Sequence, residues 1–415
     1  MKDSVLEFRD TAMTSNWLEG NLKDYNDSRG LSKFSLQTHE KGYSQLRRED
    51  SFDGGTNSIT DCASLFSGIS DDSELKRSPL GTVVKKCAQE LQRKPPLSER
   101  RTQIMLHSLL EVVSGNMKNA GIAIENGAVP ATIAVMKNHK DSVKLQSRAI
   151  LLLGSFGEDI QGKDAVASHY GIGYILVAMD RNSKSSNLWR DSCSALCKLT
   201  NGSTRNSCQL AYGDGVKILH RGMKNFIKDN SIQFNSLATL FYVAQSEVSC
   251  VADPEVIETA ILSMTTHKKV KAITQIGCSL INFLSMNGDS RAKSSLVWSN
   301  ALSVILKAMK HLPCCGVVQR EGCEALSSLV QERPEARVFI AEEGLSQILD
   351  AMVTQPSCVS IQKSVCDILN VLSDENISSV KLLKNYNNYK AALEFAKTTY
   401  PVECGASVDA VLKTI

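Results

Sequence analysis

Apolar residues recur along most of the chain with helical spacing, and the same succession of short helices returns about every 43 residues. The clearest unit opens with a short helix predicted from Asn119 to Glu125, breaks at Gly127, and continues in a second helix from Pro130 to Met136. A polar loop leads to a longer third helix whose apolar residues fall on one side, namely Val143, Leu145, Ala149, Leu152, Leu153 and Phe156. This spacing predicts three helices per unit, each with one buried face.

Two ladders of apolar residues carry the repeat. Methionine ends the predicted second helix in six successive units at intervals of 41 to 45 residues, as Met136, Met179, Met223, Met264, Met309 and Met352. In the third helix, leucine recurs at intervals of 43 residues, as Leu110, Leu153 and Leu196 and again as Leu326, Leu369 and Leu412. A single unit cannot bury its apolar face alone, so the pattern predicts stacked units with one continuous core.

Glycine recurs at the break between the first and second helices, at Gly171, Gly215 and Gly344. We expect a sharp turn there that needs a residue without a Cβ atom.

The three-helix unit, with Gly-Ala-Val-Pro before its second helix, resembles the armadillo repeat. The best units are residues 122–158 (IAIENGAVPATIAVMKNHKDSVKLQSRAILLLGSFGE) and residues 338–376. The resemblance covers roughly residues 100–415, with seven full units and a partial leading one. HEAT repeats have a similar period, but they have two helices per unit and lack the glycine break. The resemblance implies an all-α, right-handed superhelix whose third helices line a concave groove that binds extended peptides or partner proteins.

Residues 1–79 differ in composition from the remainder of the chain. They hold 13 serines, 14 acidic and 10 basic residues, a net charge of −4, which leaves +7 for residues 80–415. Their apolar residues form only small clusters, which predicts a disordered Ser/acidic-rich tail before a repeat domain at 80–415. Ser51 and Ser78 are candidate phosphorylation sites in this tail. Ser78 suits the N-cap of the first helix equally well, with Pro79 at the first helical position, and both interpretations remain open.

Overall composition narrows the function classes. The formal net charge of +3 lacks the basic excess of a nucleic-acid or membrane-surface binder. No segment approaches the length of an apolar membrane span, and no signal sequence is visible at Met1. The 13 cysteines are scattered within apolar helical patterns, as expected for reduced thiols. We therefore expect a monomeric protein in the cytoplasm or the nucleus.

Candidate chemistry is weak throughout the chain. Gly157, Gly162 and Lys163 have the spacing of a phosphate-binding loop, but Asp164 stands where the metal-binding hydroxyl belongs, and a predicted helix precedes them. Cys193 and Cys197 are four residues apart on a helix, without a second pair or a histidine at ligand spacing. We expect no cofactor, no metal site and no enzymatic activity.

The positions two residues before and after each ladder leucine predict which side chains face the groove. In the nuclear-import adaptors of the armadillo family, the position after the leucine is Asn in most units and clamps a peptide backbone. Here only Asn282 matches, counted from Leu280, and the accompanying Trp is absent. The predicted groove consists of Ser155, Lys198, Tyr242, Asn282, Glu324, Ser328 and Asp367. Tyr242 is a candidate aromatic anchor, and the acidic residues at the C-terminal end favour a basic partner there.

These observations favour a non-enzymatic scaffold or adaptor that binds partner proteins or extended peptides in the groove. The alternative is a regulator, such as an exchange factor or chaperone cofactor, that clamps a nucleotide-binding protein. A ubiquitin ligase is disfavoured, because the tail shows no folded module that would dock a conjugating enzyme.

Overall fold

The computed structural model describes residues 80–374 and 389–414, which form helices joined by turns and short loops. Ser51 and Ser78 lie outside the described residues, as does the rest of segment 1–79. The disordered tail and the boundary at residue 80 therefore stay predictions.

The helices follow one another in sets of three, numbered here as repeats 1 to 7 after a leading unit of two helices. The leading unit contains α1 (Leu80–Leu91) and α2 (Glu99–Val113). Repeats 1 to 6 contain, in chain order, α3 (Met117–Glu125), α4 (Ala128–Asn138), α5 (Val143–Ser155); α6 (Ile160–Ser168), α7 (Gly171–Arg181), α8 (Ser186–Thr200); α9 (Thr204–Tyr212), α10 (Gly215–Asn225), α11 (Asn230–Ser246); α12 (Val248–Val251), α13 (Pro254–Thr266), α14 (Lys271–Asn287); α15 (Ser290–Trp298), α16 (Ala301–His311), α17 (Gly316–Glu332); α18 (Pro334–Phe339), α19 (Leu345–Thr354), α20 (Val359–Asp374). Repeat 7 contributes α21 (Tyr389–Thr399) and α22 (Pro401–Thr414).

Stacking of equivalent helices holds the array together. Each third helix packs against the third helix of the next unit, from α2 on α5 through to α20 on α22. Second helices also stack on one another, for example α1 on α4 and α10 on α13. The predicted all-α solenoid of three-helix repeats is thus confirmed, with one core shared by successive units.

The turn between first and second helices differs from the sequence expectation. Its left-handed residue is the one before the second helix, with φ of +83° at Gly127, 56° at Tyr170, 58° at Asp214 and 69° at Asn300. Gly171 and Gly215 follow that residue and lie inside the helices. Glycine is needed there because a Cβ atom would lie 2.4 Å from Val166 Cγ1 in the first case and 2.6 Å from the Leu210 side chain in the second. Repeats 4 and 6 lack this left-handed residue. Asp253, before α13, has a φ of −66°, and Ile340–Gly344 continues α18 as a π-helical segment into α19.

The register of the third helices corrects part of the leucine ladder. Counted from the first residue of each helix, the eleventh residue is buried in all eight described third helices: Leu109, Leu153, Leu196, Leu240, Ile281, Leu326, Leu369 and Val411. Leu110, Leu280 and Leu412 are therefore each one residue out of register. Val411 is fully buried in the last described helix.

Candidate protein-binding face

The ninth and thirteenth residues of each third helix are one turn apart and share one side of the helix. They form a row along the array, called here the third-helix face. Six of the seven predicted groove residues belong to it and are half-buried: Ser155, Lys198, Tyr242, Glu324, Ser328 and Asp367. Six predicted residues thus lie on one side of the stacked third helices, and their role in partner binding stays a prediction.

Asn282, the seventh predicted residue, is not on the face. It is the twelfth residue of α14 and is only 3% exposed. Its Nδ2 donates hydrogen bonds to Glu321 Oε2 at 2.6 Å and to Glu324 Oε2 at 2.8 Å in the next repeat. Its amide donors serve the protein's own carboxylates, so the expected role as a peptide-backbone clamp is corrected. The thirteenth residue is Phe283, which counting from the start of the helix instead of from Leu280 would have found.

The centre of the face is aromatic. Tyr242 is half-buried, and its ring centroid lies 5.8 Å from that of Phe241. Phe241 also meets Phe283 of the next repeat edge-on, at 6.1 Å and an interplanar angle of 86°. Burial raises the pKa of Tyr242, so its hydroxyl stays protonated and is available as a donor. Phe283 is buried, so Phe241 and Tyr242 form the more accessible part of this aromatic cluster.

Acidic residues occupy the ninth position of the third helices in repeats 5 to 7. The ninth residues of their third helices are Glu324, Asp367 and Asp409. Burial raises the pKa of Asp367, against the opposing effect of the hydrogen bond that its Oδ1 accepts from Ser407 at 3.1 Å. In repeat 7, Asp409 Oδ1 accepts a hydrogen bond from Lys397 Nζ at 2.5 Å, and Lys413 is the thirteenth residue of the same helix, so the negative charge is balanced there.

Polar side chains of the remaining face bind neighbouring repeats. Lys198 Nζ lies 2.5 Å from Glu158 Oε1, and Ser328 Oγ donates to the Ser285 carbonyl at 2.7 Å. Ser155 Oγ donates within its own helix, to the Leu152 carbonyl at 2.7 Å. These hydrogen bonds and the ion pair orient the three side chains, which stay half-buried.

The segment with phosphate-loop spacing is the start of a repeat. Asp159 caps α6 by accepting a hydrogen bond from the Gly162 N–H at 2.6 Å, and Lys163 Nζ donates to the Asn201 carbonyl at 2.7 Å. A Cβ atom on Gly162 would lie 1.8 Å from the Phe156 carbonyl oxygen. The glycine and the lysine therefore serve packing between repeats, which leaves no loop open to a phosphate.

Buried cysteines have little nucleophilic character. Burial raises the pKa of Cys193 and of Cys197 to about 12, so both thiols are protonated at neutral pH. Within residues 80–374 and 389–414, no group of three or more His, Cys, Asp or Glu side chains is arranged to hold a metal ion. Among the same residues, no helix has the length and apolar character to cross a membrane.

Comparison with known proteins rests on structure alone. No family model matches the sequence, and no curated protein matches it either. A designed armadillo repeat protein matches at a TM-score of 0.50 with 12% identity, over 59% of this chain and 99% of that chain. The fold is that of the armadillo repeat.

Larger armadillo-like matches extend along most of the chain. One is a chain from a structure that describes a phosphorylation switch controlling the interaction between cadherin and β-catenin, with a TM-score of 0.68, 13% identity, and coverage of 90% of this chain and 76% of that one. Another is an engineered protein, with a TM-score of 0.65, 14% identity, and coverage of 86% and 89%. At these identities the likeness establishes the armadillo fold and leaves the partner open.

Proposed function

We propose that this armadillo-type protein is a non-enzymatic scaffold or adaptor that binds an extended segment of a partner protein along the third-helix face. The observation that carries the proposal is the row of side chains at equivalent positions of consecutive repeats, which includes the half-buried residues Ser155, Lys198, Tyr242, Glu324, Ser328 and Asp367. An extended peptide can run along such a row and place successive side chains against successive repeats.

The chemistry of the face narrows the partner. Tyr242, half-buried at the centre of the face, favours an apolar or aromatic residue at the centre of the bound segment. Glu324 and Asp367 favour lysine or arginine where the segment crosses repeats 5 and 6. The chain from the cadherin and β-catenin structure supports protein binding by this fold, without indicating which partner this chain binds.

A pair of charge reversals tests the face. In Lys198→Glu/Asp367→Lys, both changes lie on the third-helix face at half-buried positions. In the matched control Lys224→Glu/Asp350→Lys, the same two reversals lie at exposed positions of the second helices α10 and α19. Both variants keep the net charge, so a difference between them reports the location of the change.

Proteins captured from the native cell by wild type and by each variant are quantified, after equal helicity and thermal midpoints have been established. We expect partner recovery to fall about tenfold with the face variant and to be unchanged with the control, since opposed charges cost binding free energy at a contact. Equal recovery of partner proteins by wild type, the face variant and the control variant would exclude the third-helix face as the binding surface. For each partner lost, a synthetic peptide of its extended segment should bind the wild type, whereas a regulator that clamps a folded domain would not bind the peptide.

A further inference from the structure

A second surface with binding character lies on the second helices of repeats 1 and 2. A cavity of about 390 Å³ opens there between the C-terminal part of α4 and helix α7. Its walls include Met136, Lys137, Lys140, Tyr174, Val177 and Arg181. A volume of this size falls within the range of sites that hold a small ligand or a few peptide side chains.

The cavity combines positive charge with apolar surface. Lys137 Nζ lies 5.1 Å from the centre of the Tyr174 ring, a cation–π contact that keeps the ammonium at the cavity wall. Lys140 and Arg181 are exposed beside it, and Arg181 lies 4.0 Å from the exposed carboxylate of Asp141, a distance at which the pairing is weak. Val177 is 48% exposed and adds an apolar patch. A ligand that suits both properties is an acidic peptide with an apolar residue next to its carboxylates.

The chain contains such a segment just before its first described helix. Residues 61–75 (DCASLFSGISDDSEL) hold four acidic side chains and no basic one. The apolar residues Leu65, Phe66 and Ile69 come directly before the acidic run Asp71, Asp72 and Glu74. We propose that residues 65–74 bind in this cavity of the same chain, with the carboxylates facing Lys137, Lys140 and Arg181 and an apolar side chain against Val177.

The connection is long enough for this arrangement. Asp72 lies eight residues before Leu80, and extended chain spans about 3.3 Å per residue, so it reaches about 26 Å. Helix α1 packs on α4 and has 12 residues, which corresponds to about 18 Å of helix. Adjacent helices lie about 10 Å apart, which places the cavity between α4 and α7 about 15 Å to the side of α1. The distance from Leu80 to the cavity is the diagonal of about 18 Å along α1 and about 15 Å to its side, or about 23 Å. The extended chain between Asp72 and Leu80 can span this distance.

This site is separate from the third-helix face, so a test of this proposal does not depend on whether the proposed function is correct. It concerns second helices and a segment of the chain itself. The charge reversals that test partner binding do not alter any of its residues.

Hydrogen exchange of the full-length protein measures the docking directly. We expect the backbone amides of residues 65–75 to exchange more slowly than in a synthetic peptide of the same sequence. In Lys137→Gln/Lys140→Gln/Arg181→Gln their exchange should speed up about tenfold, because each exposed ion pair contributes a factor of about two. The control Lys268→Gln/Lys269→Gln/Lys310→Gln removes three exposed lysines elsewhere and should leave the exchange as in wild type.

A complementary measurement uses the peptide as a free ligand. Peptide 61–75 should bind full-length Asp71→Asn/Asp72→Asn/Glu74→Gln, whose own segment competes poorly, about tenfold more tightly than it binds wild type. That binding should weaken in 0.5 M salt. It should also weaken about tenfold when Lys137→Gln/Lys140→Gln/Arg181→Gln is introduced into the same protein. Exchange at unprotected rates in wild type, or equal rates in wild type and the cavity variant, would overturn the proposal. Equal peptide binding by the cavity and control variants would overturn it as well.

Discussion

At the scale of single residues, Trp189 shows how one repeat departs from its neighbours. It occupies the fourth position of α8, where the third helices of four other repeats carry Gln146, Gln233, Gln319 and Gln362. Its indole is fully buried and lies 5.7 Å from the ring of Phe226. A Cβ atom on Gly222 in α10 would lie only 1.8 Å from Trp189 Cζ3. The large side chain in one repeat therefore requires glycine in the next.

Gly222→Ala tests this dependence. Because the indole is enclosed and cannot move aside, we expect the substitution to lower the free energy of unfolding by about 2–3 kcal/mol. Gly173→Ala is the matched control, since it is also a helical glycine but a Cβ atom there meets nothing within 4 Å. It should be neutral or stabilising by up to about 1 kcal/mol. Urea unfolding followed by circular dichroism measures both, and similar effects at the two sites would refute the explanation.

At the scale of helices, the glutamine at the fourth position of a third helix caps the preceding second helix. In repeat 5, Gln319 Nε2 donates to the carbonyls of Met309 at 2.8 Å and Leu312 at 3.0 Å. Pro313 stands four residues after Met309, so that carbonyl has no helical N–H partner along the chain. Gln146, Gln233 and Gln362 make the same pair of contacts in their repeats. One side chain thus fixes the angle between second and third helices.

Gln319→Leu keeps the apolar volume and removes the two donated hydrogen bonds. We expect a loss of about 2–3 kcal/mol in the free energy of unfolding, because buried carbonyls are left without a donor. Gln331→Leu, at an exposed position of the same helix, should change stability by less than about 0.5 kcal/mol. Both values come from urea unfolding, and a loss below 0.5 kcal/mol for Gln319→Leu would mean that water replaces the cap.

At the scale of the whole molecule, stability is distributed along a row of neighbours. Each third helix contacts those of the adjacent units, so the effect of a core substitution should depend on its place in the row. Leu240 lies at the middle of the described array and Val411 in its last helix, and both are fully buried.

Leu240→Ala should lower hydrogen-exchange protection in α11 and in the third helices on both sides, α8 and α14. The free energy of opening in these helices should fall by about 3 kcal/mol, the typical cost of truncating a buried leucine to alanine. Val411→Ala should affect α20 to α22 and leave α8 to α14 as protected as in wild type. Hydrogen exchange of each variant is measured by mass spectrometry. A uniform loss of protection along the array from either substitution would show that the repeats unfold as one cooperative unit and not through nearest-neighbour contacts.

The third-helix face shows which residues a sequence pattern can assign to a helix position and which it cannot. Ser155, Lys198 and Tyr242 lie at the thirteenth position of their helices, as counting from the leucine ladder predicts, because their units contain a regular ladder. Phe283 and Asp409 were not among the predicted residues. In each of their helices two adjacent residues are apolar, Leu280 and Ile281 in α14 and Val411 and Leu412 in α22, and the pattern alone does not say which of the two faces the core. The start of each helix resolves the ambiguity, and it depends on loop lengths that vary between repeats.

The sequence by itself determined that this protein is an all-α array of three-helix repeats, since helical periodicity and a recurring period are local properties of a chain. Only the tertiary structure decided which polar side chains remain available to a ligand. Asn282 is enclosed by Glu321 and Glu324 about 40 residues further along, and Lys137 meets Tyr174 across two repeats. Such contacts join residues that stacking brings together, and stacking depends on the exact register of each repeat against the next.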